Sequence, residues 1–236
     1  MIAASGEIAV REETASNGLT LRGRPVPTYI AVEGPIGVGK TTLARRIAET
    51  FAHELLLEEA ELNPFLERFY QNRKQTALAT QLFFLFQRVQ KITELKQRDM
   101  FDQNRVADFV LEKDPLFARV NLDADEYALY QKVFEKMRVD APVPDLVIYL
   151  QANPDRLLER IEKRGIDAER LIERTYLEQL NEVYSEFFLY YDDAPLLIVN
   201  ANDIDLTRGD RDYEQLINYM LDIKKGRHYF NPTFFS

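Results

Sequence analysis

The chain has 236 residues, of which 46% are hydrophobic and 29% charged, a size and composition typical of one large domain with a well-buried core. Its net charge of −9 disfavours a general nucleic-acid-binding surface, because phosphate backbones require clustered lysine and arginine. The absence of cysteine excludes disulfides and thiolate metal sites, and only two histidines could supply imidazole.

The start of the chain carries no targeting signal that we recognise. No run approaches the roughly 18 consecutive apolar residues of a membrane span, and no signal-peptide core is present. We therefore expect a cytoplasmic protein with neither a nucleic-acid polymer nor a membrane as partner. Residues 1–27 lack sustained periodicity and are expected to form a flexible N-terminal extension, followed by a single domain over 28–236.

The first sustained pattern is a strand, a glycine-rich turn and a helix. Thr28–Val32 is a short apolar run typical of a buried strand. Further on, Leu43, Ile47 and Phe51 recur every four residues, as on an amphipathic helix. Between the two, Gly34–Thr41 matches the phosphate-loop pattern G-x-x-x-x-G-K-[ST] at every fixed position.

Such a loop holds a polyphosphate with backbone N–H groups at a helix N-terminus. Lys40 is expected to reach the β- and γ-phosphates, and Thr41 to place its hydroxyl on Mg²⁺. The residues expected to bind the phosphates of ATP are Gly34, Pro35, Ile36, Gly37, Val38, Gly39, Lys40, Thr41 and Thr42. The sequence therefore predicts a protein that binds a nucleoside triphosphate.

Strands and helices alternate along the rest of the chain. The further predicted strands are His53–Leu57, Val106–Leu111, Asp145–Leu150 and Leu196–Asn200. The predicted helices cover residues 63–70, 76–98 and 123–137, a segment opened by Asn153 and Pro154, and residues 175–191. This order predicts an α/β fold, a P-loop NTPase-like parallel sheet flanked by helices.

Several short motifs narrow the kind of phosphate-loop protein. The GTPase markers Asn-Lys-x-Asp and Asp-x-x-Gly do not follow the loop. Instead the chain has Leu-Leu-Glu-Glu at residues 56–59, Asn-Pro-Phe-Leu at 63–66 and Phe-Tyr at 69–70, and then Gln81 and Arg88 two helical turns apart. From about Thr28 to Asn200 the chain resembles the deoxynucleoside kinase family, especially its bacterial deoxyguanosine and deoxyadenosine kinases.

The resemblance implies that Glu58 is the general base for the nucleoside 5′-hydroxyl, with Glu59 as the second choice. Repulsion among neighbouring acids would raise the pKa of this carboxyl group. The alternative is a solvated acidic loop.

The resemblance also implies a nucleoside pocket. Gln81 would form paired hydrogen bonds to the base, and Tyr70 and Glu169 would hold the sugar 3′-hydroxyl. Arg88 and Asp114 would line the base pocket and favour a purine deoxynucleoside, or form a plain structural salt bridge. Phe117 would stack on the base.

At Asp108 the chain departs from the family pattern. The resemblance implies that this acid assists Mg²⁺, usually through water, and that arginine and serine follow it. Here Phe109 and Val110 follow, so the arginine that lies near the 5′-oxygen in the family is missing. Arg105 and Lys113 are the two candidates to replace it.

Arg160 and Arg164, one helical turn apart, resemble the arginine-rich lid of these kinases and would stabilise the transferring phosphoryl group together with Lys40. Glutamates around them leave a solvated helix as the alternative.

We therefore expect an ATP- and Mg²⁺-dependent deoxynucleoside kinase of nucleotide salvage, active as a homodimer. The two rival hypotheses are a nucleoside monophosphate kinase of the thymidylate kinase type and a catalytically silent nucleotide-binding protein.

Overall fold

The computed structural model describes residues 19–98, 104–137, 141–203 and 210–231. Its centre is a sheet of six parallel strands in the order β4-β5-β3-β6-β7-β8. A separate two-stranded hairpin, β1 and β2, precedes the sheet. The strands are β1 (Thr20–Leu21), β2 (Arg24–Pro25), β3 (Tyr29–Glu33), β4 (Glu54–Leu56), β5 (Arg105–Ala107), β6 (Leu146–Gln151), β7 (Leu196–Asn200) and β8 (Arg227–Phe230).

Helices cover both faces of this sheet, as the sequence predicts. They are α1 (Lys40–Phe51), α2 (Leu66–Gln71), α3 (Arg73–Arg98), α4 (Asp114–Asn121), α5 (Ala124–Met137), α6 (Pro154–Arg164), α7 (Arg174–Tyr190) and α8 (Asp210–Met220). Short 3₁₀ turns lie at Ala60–Leu62, Leu111–Lys113 and Asp167–Leu171. No helix in the described parts of the chain is both long enough and apolar enough to cross a membrane.

Alternate residues of the central strands point to opposite faces and form two cores. Ile30 of β3 and Ile148 of β6 pack in one core with Leu43 of α1. Val147 of β6 packs in the other core with Tyr184 of α7. The continuous apolar runs of β3 and β6 are explained by this burial on both faces.

The predicted strand after residue 105 is shorter in the structure. β5 ends at Ala107, whereas the sequence predicted a strand through Leu111. Beyond this point the contacts are no longer those of a strand ladder: the Asp108 carboxylate accepts a hydrogen bond from the backbone N–H of Glu58, and the backbone N–H of Val110 donates to the Glu33 carboxylate. This early exit from the sheet places the following residues at the candidate site.

Apart from the N-terminal hairpin, three elements were missing from the sequence prediction. α4 and α8 were not predicted, and β7 is not the last strand, because β8 pairs with it in parallel at the edge of the sheet. Four residues of aromatic and basic character, following Gly226, carry too little periodicity to reveal an edge strand.

The boundary of the N-terminal extension also differs from the prediction. Residues 19–27 belong to the folded domain, because Leu21 and Val26 are buried in the main core. Arg24 adds an ion pair with Asp222 (3.1 Å) and a hydrogen bond to the carbonyl oxygen of Asn218 (2.9 Å). The remainder of the predicted extension, residues 1–18, lies outside the described residues.

Candidate active site

The candidate site lies at the carboxyl ends of three adjacent strands. Glu33 is the last residue of β3, Glu58 lies just beyond β4, and Asp108 directly follows β5. Because these strands are neighbours in the sheet, their ends converge although the residues are far apart in the chain. In open parallel sheets, ligands bind in the crevice outside the carboxyl ends of the strands.

The phosphate loop joins β3 to α1. Gly37 has a φ of 82°, and a Cβ there would lie 2.9 Å from the carbonyl oxygen of Leu157 in α6, so only glycine fits. Lys40, the first residue of α1, donates from Nζ to the carbonyl oxygens of Gly34 (2.8 Å) and Pro35 (3.1 Å). Thr42 follows in the first turn of the same helix. The loop thus has the strand–turn–helix context that the sequence predicted.

Lys40 occupies a desolvated position above this loop. Burial, and then the positive charge of Lys113, lower the pKa of Lys40 to about 8. A phosphate group bound in the loop would bring negative charge close to Lys40 and so stabilise its ammonium form.

Thr41 and Asp108 form the oxygen pair expected for a metal site. Thr41 Oγ1 donates to Asp108 Oδ2 at 2.5 Å, and the backbone N–H of Glu58 donates to Asp108 Oδ1 at 2.7 Å. Burial raises the pKa of Asp108. Among the described residues no group of three or more His, Cys, Asp or Glu side chains could hold a metal by itself. Because Mg²⁺ usually takes one or two protein oxygens and completes its shell with phosphate and water, these two residues fit it.

Glu58 lies between two cations. Its Oε1 pairs with Arg88 Nη2, and its Oε2 accepts a hydrogen bond from Lys113 Nζ at 2.9 Å. Burial alone would raise the pKa of Glu58, but Arg88 and Lys113 outweigh it and lower the pKa to about 2. The expected increase through repulsion within an acidic cluster is therefore wrong. Glu59, the second choice, pairs instead with Lys91 (2.6 Å) at the exposed margin.

Arg88, Asp114 and Gln81 meet in one buried network. Arg88 Nη1 pairs with Asp114 Oδ2, while Gln81 Nε2 and the hydroxyl group of Tyr130 donate to Asp114 Oδ1 at 3.1 and 2.5 Å. Asp114 is fully buried and Arg88 nearly so. Burial and the charge of Asp114 raise the pKa of Tyr130, so it remains a donor. Since Arg88 also pairs with Glu58, the network connects the predicted base pocket to the predicted catalytic carboxylate.

The residues predicted to hold the sugar lie on facing elements. Tyr70 of α2 and Glu169 of the Asp167–Leu171 turn are close enough for Glu169 to contribute, after burial and Tyr176, to a raised pKa of Tyr70. Glu169 pairs with Arg164 of α6. Phe117 of α4 is half-buried and packs edge-to-face on Tyr184, with 6.0 Å between ring centroids.

The two predicted lid arginines differ in their contacts. Arg160 donates from Nη1 to the carbonyl oxygen of Val38 (3.1 Å) in the phosphate loop and from Nη2 to that of Ala201 (2.7 Å). Arg164 is 45% exposed and paired with Glu169. Only Arg160 therefore contacts the phosphate loop in this conformation.

Comparisons with known proteins identify the family of the chain. The family model described as deoxynucleoside kinase matches residues 30–223. The chain belongs to the deoxynucleoside kinase family. It is therefore an enzyme, a phosphotransferase, and the predicted family and fold class are confirmed.

Individual relatives of this kinase support the same assignment. Deoxyguanosine kinase of Bacillus subtilis (strain 168) is 32% identical over 83% of this chain and 97% of that protein. Deoxyadenosine/deoxycytidine kinase of the same organism is 29% identical over 84% of this chain and 94% of that protein. The solved structure of M. mycoides deoxyadenosine kinase with bound dATP has a TM-score of 0.70 and 31% identity, covering 82% of this chain and 98% of that chain.

The kinase also contains site residues that sequence reasoning missed. Glu33 is fully buried beside Lys113 (3.2 Å), and Tyr184 donates to it at 2.9 Å. The only signal in the sequence was an acid directly before the phosphate loop, at the end of an apolar strand. Of the two candidates to replace the missing arginine, Lys113 reaches Glu58, whereas Arg105 lies beside the ring of Tyr29 at the amino end of the sheet.

Proposed function

We propose that this kinase transfers the γ-phosphoryl group of ATP to the 5′-hydroxyl of a purine deoxynucleoside in nucleotide salvage. The observation that carries the proposal is the Glu58 carboxylate, fixed by Arg88 and Lys113 in the same crevice as the phosphate loop. This reaction requires three parts: a hydroxyl group as acceptor, a carboxylate that accepts a hydrogen bond from it, and a site for the polyphosphate of the donor.

The phosphate loop binds the donor. Backbone N–H groups at the start of α1 and the ammonium group of Lys40 neutralise the phosphate oxygens. Arg160 contacts the loop and could also neutralise the phosphate oxygens. Arg164 would first have to break its ion pair with Glu169 to reach them. Fixed cations of this kind stabilise the charge on the transferring phosphoryl group.

Thr41 and Asp108 would hold Mg²⁺ next to the donor. When bound, the ion supplies additional positive charge for the phosphate oxygens and orients them. Because the Thr41 hydroxyl and Asp108 carboxylate are in contact, their oxygens would have to share the ion with phosphate and water.

Glu58 receives the proton of the 5′-hydroxyl. A carboxylate with a pKa of about 2 is a weak base, so it acts first as a hydrogen-bond acceptor that aims the hydroxyl oxygen at the γ-phosphorus. This suits a loose transition state, in which the acceptor hydroxyl acquires acidity only as its bond to phosphorus forms. The proton therefore moves late, and ionisation of Glu58 keeps its acceptor lone pairs available at neutral pH.

The Arg88–Asp114–Gln81 network is suited to the base. Its donors and acceptors are buried, so a base that leaves them unpaired is rejected. Gln81 offers an amide that can match an adjacent donor and acceptor on a purine edge. The names of two relatives, a deoxyguanosine kinase and a deoxyadenosine kinase, support a purine, whereas the name of a third relative, a deoxyadenosine/deoxycytidine kinase, includes a pyrimidine as well.

A homodimer is part of the proposal. Phe86 of α3 and Leu129 of α5 are each 50% exposed, and they belong to two helices that share an apolar cluster. A second copy would bury them. Light scattering should give twice the chain mass, and Phe86→Asp with Leu129→Asp should give the monomer; a monomeric wild type would contradict this part.

The test of function is ADP release with Mg-ATP across a panel of nucleosides. The panel contains deoxyguanosine, deoxyadenosine, deoxycytidine, thymidine, the ribonucleosides and thymidine monophosphate. We expect turnover on deoxyguanosine or deoxyadenosine, and a loss of about 100-fold or more in Glu58→Gln, which keeps the shape of the side chain but removes the charge.

Two outcomes would contradict the proposal. Turnover on thymidine monophosphate alone would indicate a nucleoside monophosphate kinase. The structure offers little for that acceptor, because Arg73 pairs with Glu173 (3.6 Å) and lies over the ring of Tyr176 (4.1 Å). ATP binding without turnover on any acceptor would indicate a silent nucleotide-binding protein.

A further inference from the structure

Position 109 cannot supply a cation to the site. Phe109 is 1% exposed and packs in a small apolar cluster with Ile92 and Leu111. A charged group there would lose its hydration without gaining a partner. The positive charge beside Glu58 therefore comes from other parts of the chain.

Lys113 supplies that charge by a different backbone path. After β5 the chain makes the 3₁₀ turn Leu111–Lys113, which returns it to the crevice. The Nζ atom of Lys113 lies 2.9 Å from Glu58 Oε2 and 3.2 Å from Glu33 Oε1, and the side chain is 2% exposed. A buried lysine between two carboxylates is held by both, and its pKa is raised despite the cost of burial.

Glu33 anchors this lysine to the phosphate loop. Its Oε2 accepts hydrogen bonds from the backbone N–H of Gly34 (2.8 Å) and the hydroxyl group of Tyr184 (2.9 Å). Its Oε1 accepts one from the backbone N–H of Val110 (3.2 Å) and faces Lys113. With four partners the Glu33 carboxylate has little freedom, so it fixes Lys113 relative to the first glycine of the loop.

The contacts form one continuous path from donor to acceptor. It runs from Gly34 through Glu33 and Lys113 to Glu58. On its other oxygen Glu58 is held by Arg88, which belongs to the base-pocket network. The carboxylate is thus fixed from the donor side by lysine and from the nucleoside side by arginine.

We propose that Lys113, anchored by Glu33, is the positioning residue that sets Glu58 against the phosphate loop, in place of the arginine that the family pattern has at position 109. The inference rests on the proposed function. Transfer needs the acceptor oxygen and the phosphorus at a defined separation, and small displacements of an aligning group reduce the rate strongly. At neutral pH, where Lys40 is protonated, Lys113 and Glu33 therefore act on the transfer step rather than on nucleotide affinity.

The test compares kcat and KM for Lys113→Met, Lys113→Arg and Glu33→Gln. We expect Lys113→Met to lower kcat about 100-fold, with KM for ATP and nucleoside changed by less than about threefold. Lys113→Arg should have a kcat about tenfold higher than that of Lys113→Met, because arginine keeps the positive charge. Glu33→Gln should lower kcat about tenfold in the wild type but less than about twofold in the Lys113→Met background, because it acts through the lysine.

Lys91→Met is the matched control. Lys91 pairs with Glu59 at 2.6 Å and donates to the carbonyl oxygen of Leu57 at 2.6 Å, so Lys91→Met removes a lysine–glutamate pair from the segment that carries Glu58 without removing a contact to Glu58 itself. Its kcat should stay within about twofold of the wild type. Circular dichroism and ATP binding check folding, and if Lys113→Met does not fold, Lys113→Arg and Glu33→Gln carry the test.

The outcomes separate this inference from the proposed function. A wild type that phosphorylates no nucleoside would overturn both. An active wild type with Lys113→Met or Glu33→Gln at wild-type kcat would overturn the inference alone. So would additive losses in the double variant, because Glu33 would then act independently of Lys113.

Discussion

At the scale of single residues, Lys40 shows how burial changes the chemistry of the phosphate loop. Its side chain donates to two loop carbonyl groups, but burial and the positive charge of Lys113 make its ammonium form less stable than in water. The lysine binds phosphate only when protonated. Its lowered pKa therefore limits the pH range of donor binding in the free enzyme.

We predict an alkaline limit on donor capture. With a pKa of about 8, Lys40 is protonated below that pH and neutral above it, so kcat/KM for ATP should be constant on the acid side of pH 8 and fall about tenfold per pH unit on the alkaline side. At saturating ATP the phosphate charges raise the pKa of Lys40, so kcat should hold to higher pH.

The measurement is a set of ATP saturation curves from about pH 6.5 to about 9.5 at saturating deoxynucleoside. Lys40→Arg keeps its charge throughout this range and serves as the control, since its profile should lack the alkaline decrease even if its rate is lower. A wild-type kcat/KM that is flat to the alkaline end would contradict this assignment.

Single residues also show which parts of the site could be predicted from the sequence and which could not. The phosphate loop was predictable because all its contacts are local: strand, turn and helix are consecutive in the chain. Lys113 was left as one of two candidates, because its contact with Glu58 depends on β4 and β5 being neighbours. The period of a strand carries no information about which other strand it pairs with. The low pKa of Glu58 escaped prediction for the same reason, since both of its cations lie on other segments.

At the scale of elements, α5 supports the proposed base pocket between α3 and α4. Tyr130 of α5 is fully buried and donates to Asp114, the first residue of α4, which in turn pairs with Arg88 of α3. A buried carboxylate needs several donors to remain ionised away from water. The three helices are therefore connected through one carboxyl group.

Tyr130→Phe removes only the hydroxyl group from this network. We expect the free energy of unfolding to fall by about 1.5 to 3 kcal/mol, because a buried charged acceptor loses a donor while the ring packing is kept. Denaturant unfolding measures the change. Tyr127→Phe is the control, since Tyr127 stacks on Tyr130 at 6.2 Å without a hydrogen bond to Asp114, and it should change stability by less than about 0.5 kcal/mol. Equal effects of the two variants would contradict the role given to the hydroxyl group.

The N-terminal hairpin is a second element with a testable role. Leu21 of β1 and Val26, directly after β2, are buried in the main core, and Arg24 of β2 donates to the carbonyl oxygen of Asn218 in α8. A chain that starts at residue 19 should keep the stability and activity of the full chain. A chain that starts at residue 28 should lose about 3 kcal/mol or more, because two buried apolar side chains are removed. Thermal unfolding of the two truncated proteins checks this, and equal stabilities would show that the hairpin does not support the domain.

At the scale of the whole molecule, strand order brings the parts of the site together. The order β4-β5-β3 places Glu58, Asp108 and Glu33 at adjacent strand ends, and the following segments add Arg88 and Lys113 between them. The alternation of elements along the sequence predicted the parallel sheet and its helical layers correctly. It did not predict the order of strands, because the spacing of apolar residues leaves several orders equally possible. Family resemblance, rather than periodicity, is what singled out most of the site residues in advance.

The same arrangement explains why the molecule suits transfer to a hydroxyl group. Five charges alternate in sign through the crevice, from Glu33 to Lys113, Glu58, Arg88 and Asp114. Tyrosine hydroxyl groups donate to the carboxylates at both ends of this series. Each interior charge thus has partners on two sides, which limits the cost of burying it and keeps Glu58 ionised at the proposed acceptor site.

The most direct test of the account follows labelled phosphate from γ-labelled Mg-ATP to the nucleoside. Deoxyadenosine and deoxyguanosine would be compared with their 5′-deoxy analogues, which keep the base and the 3′-hydroxyl but lack the proposed acceptor. The account predicts label on the 5′-oxygen of at least one purine deoxynucleoside and none on its 5′-deoxy analogue. Label on the 5′-deoxy analogue, or on none of these acceptors while ATP binds, would contradict the central claim that Glu58 directs a 5′-hydroxyl to the donor.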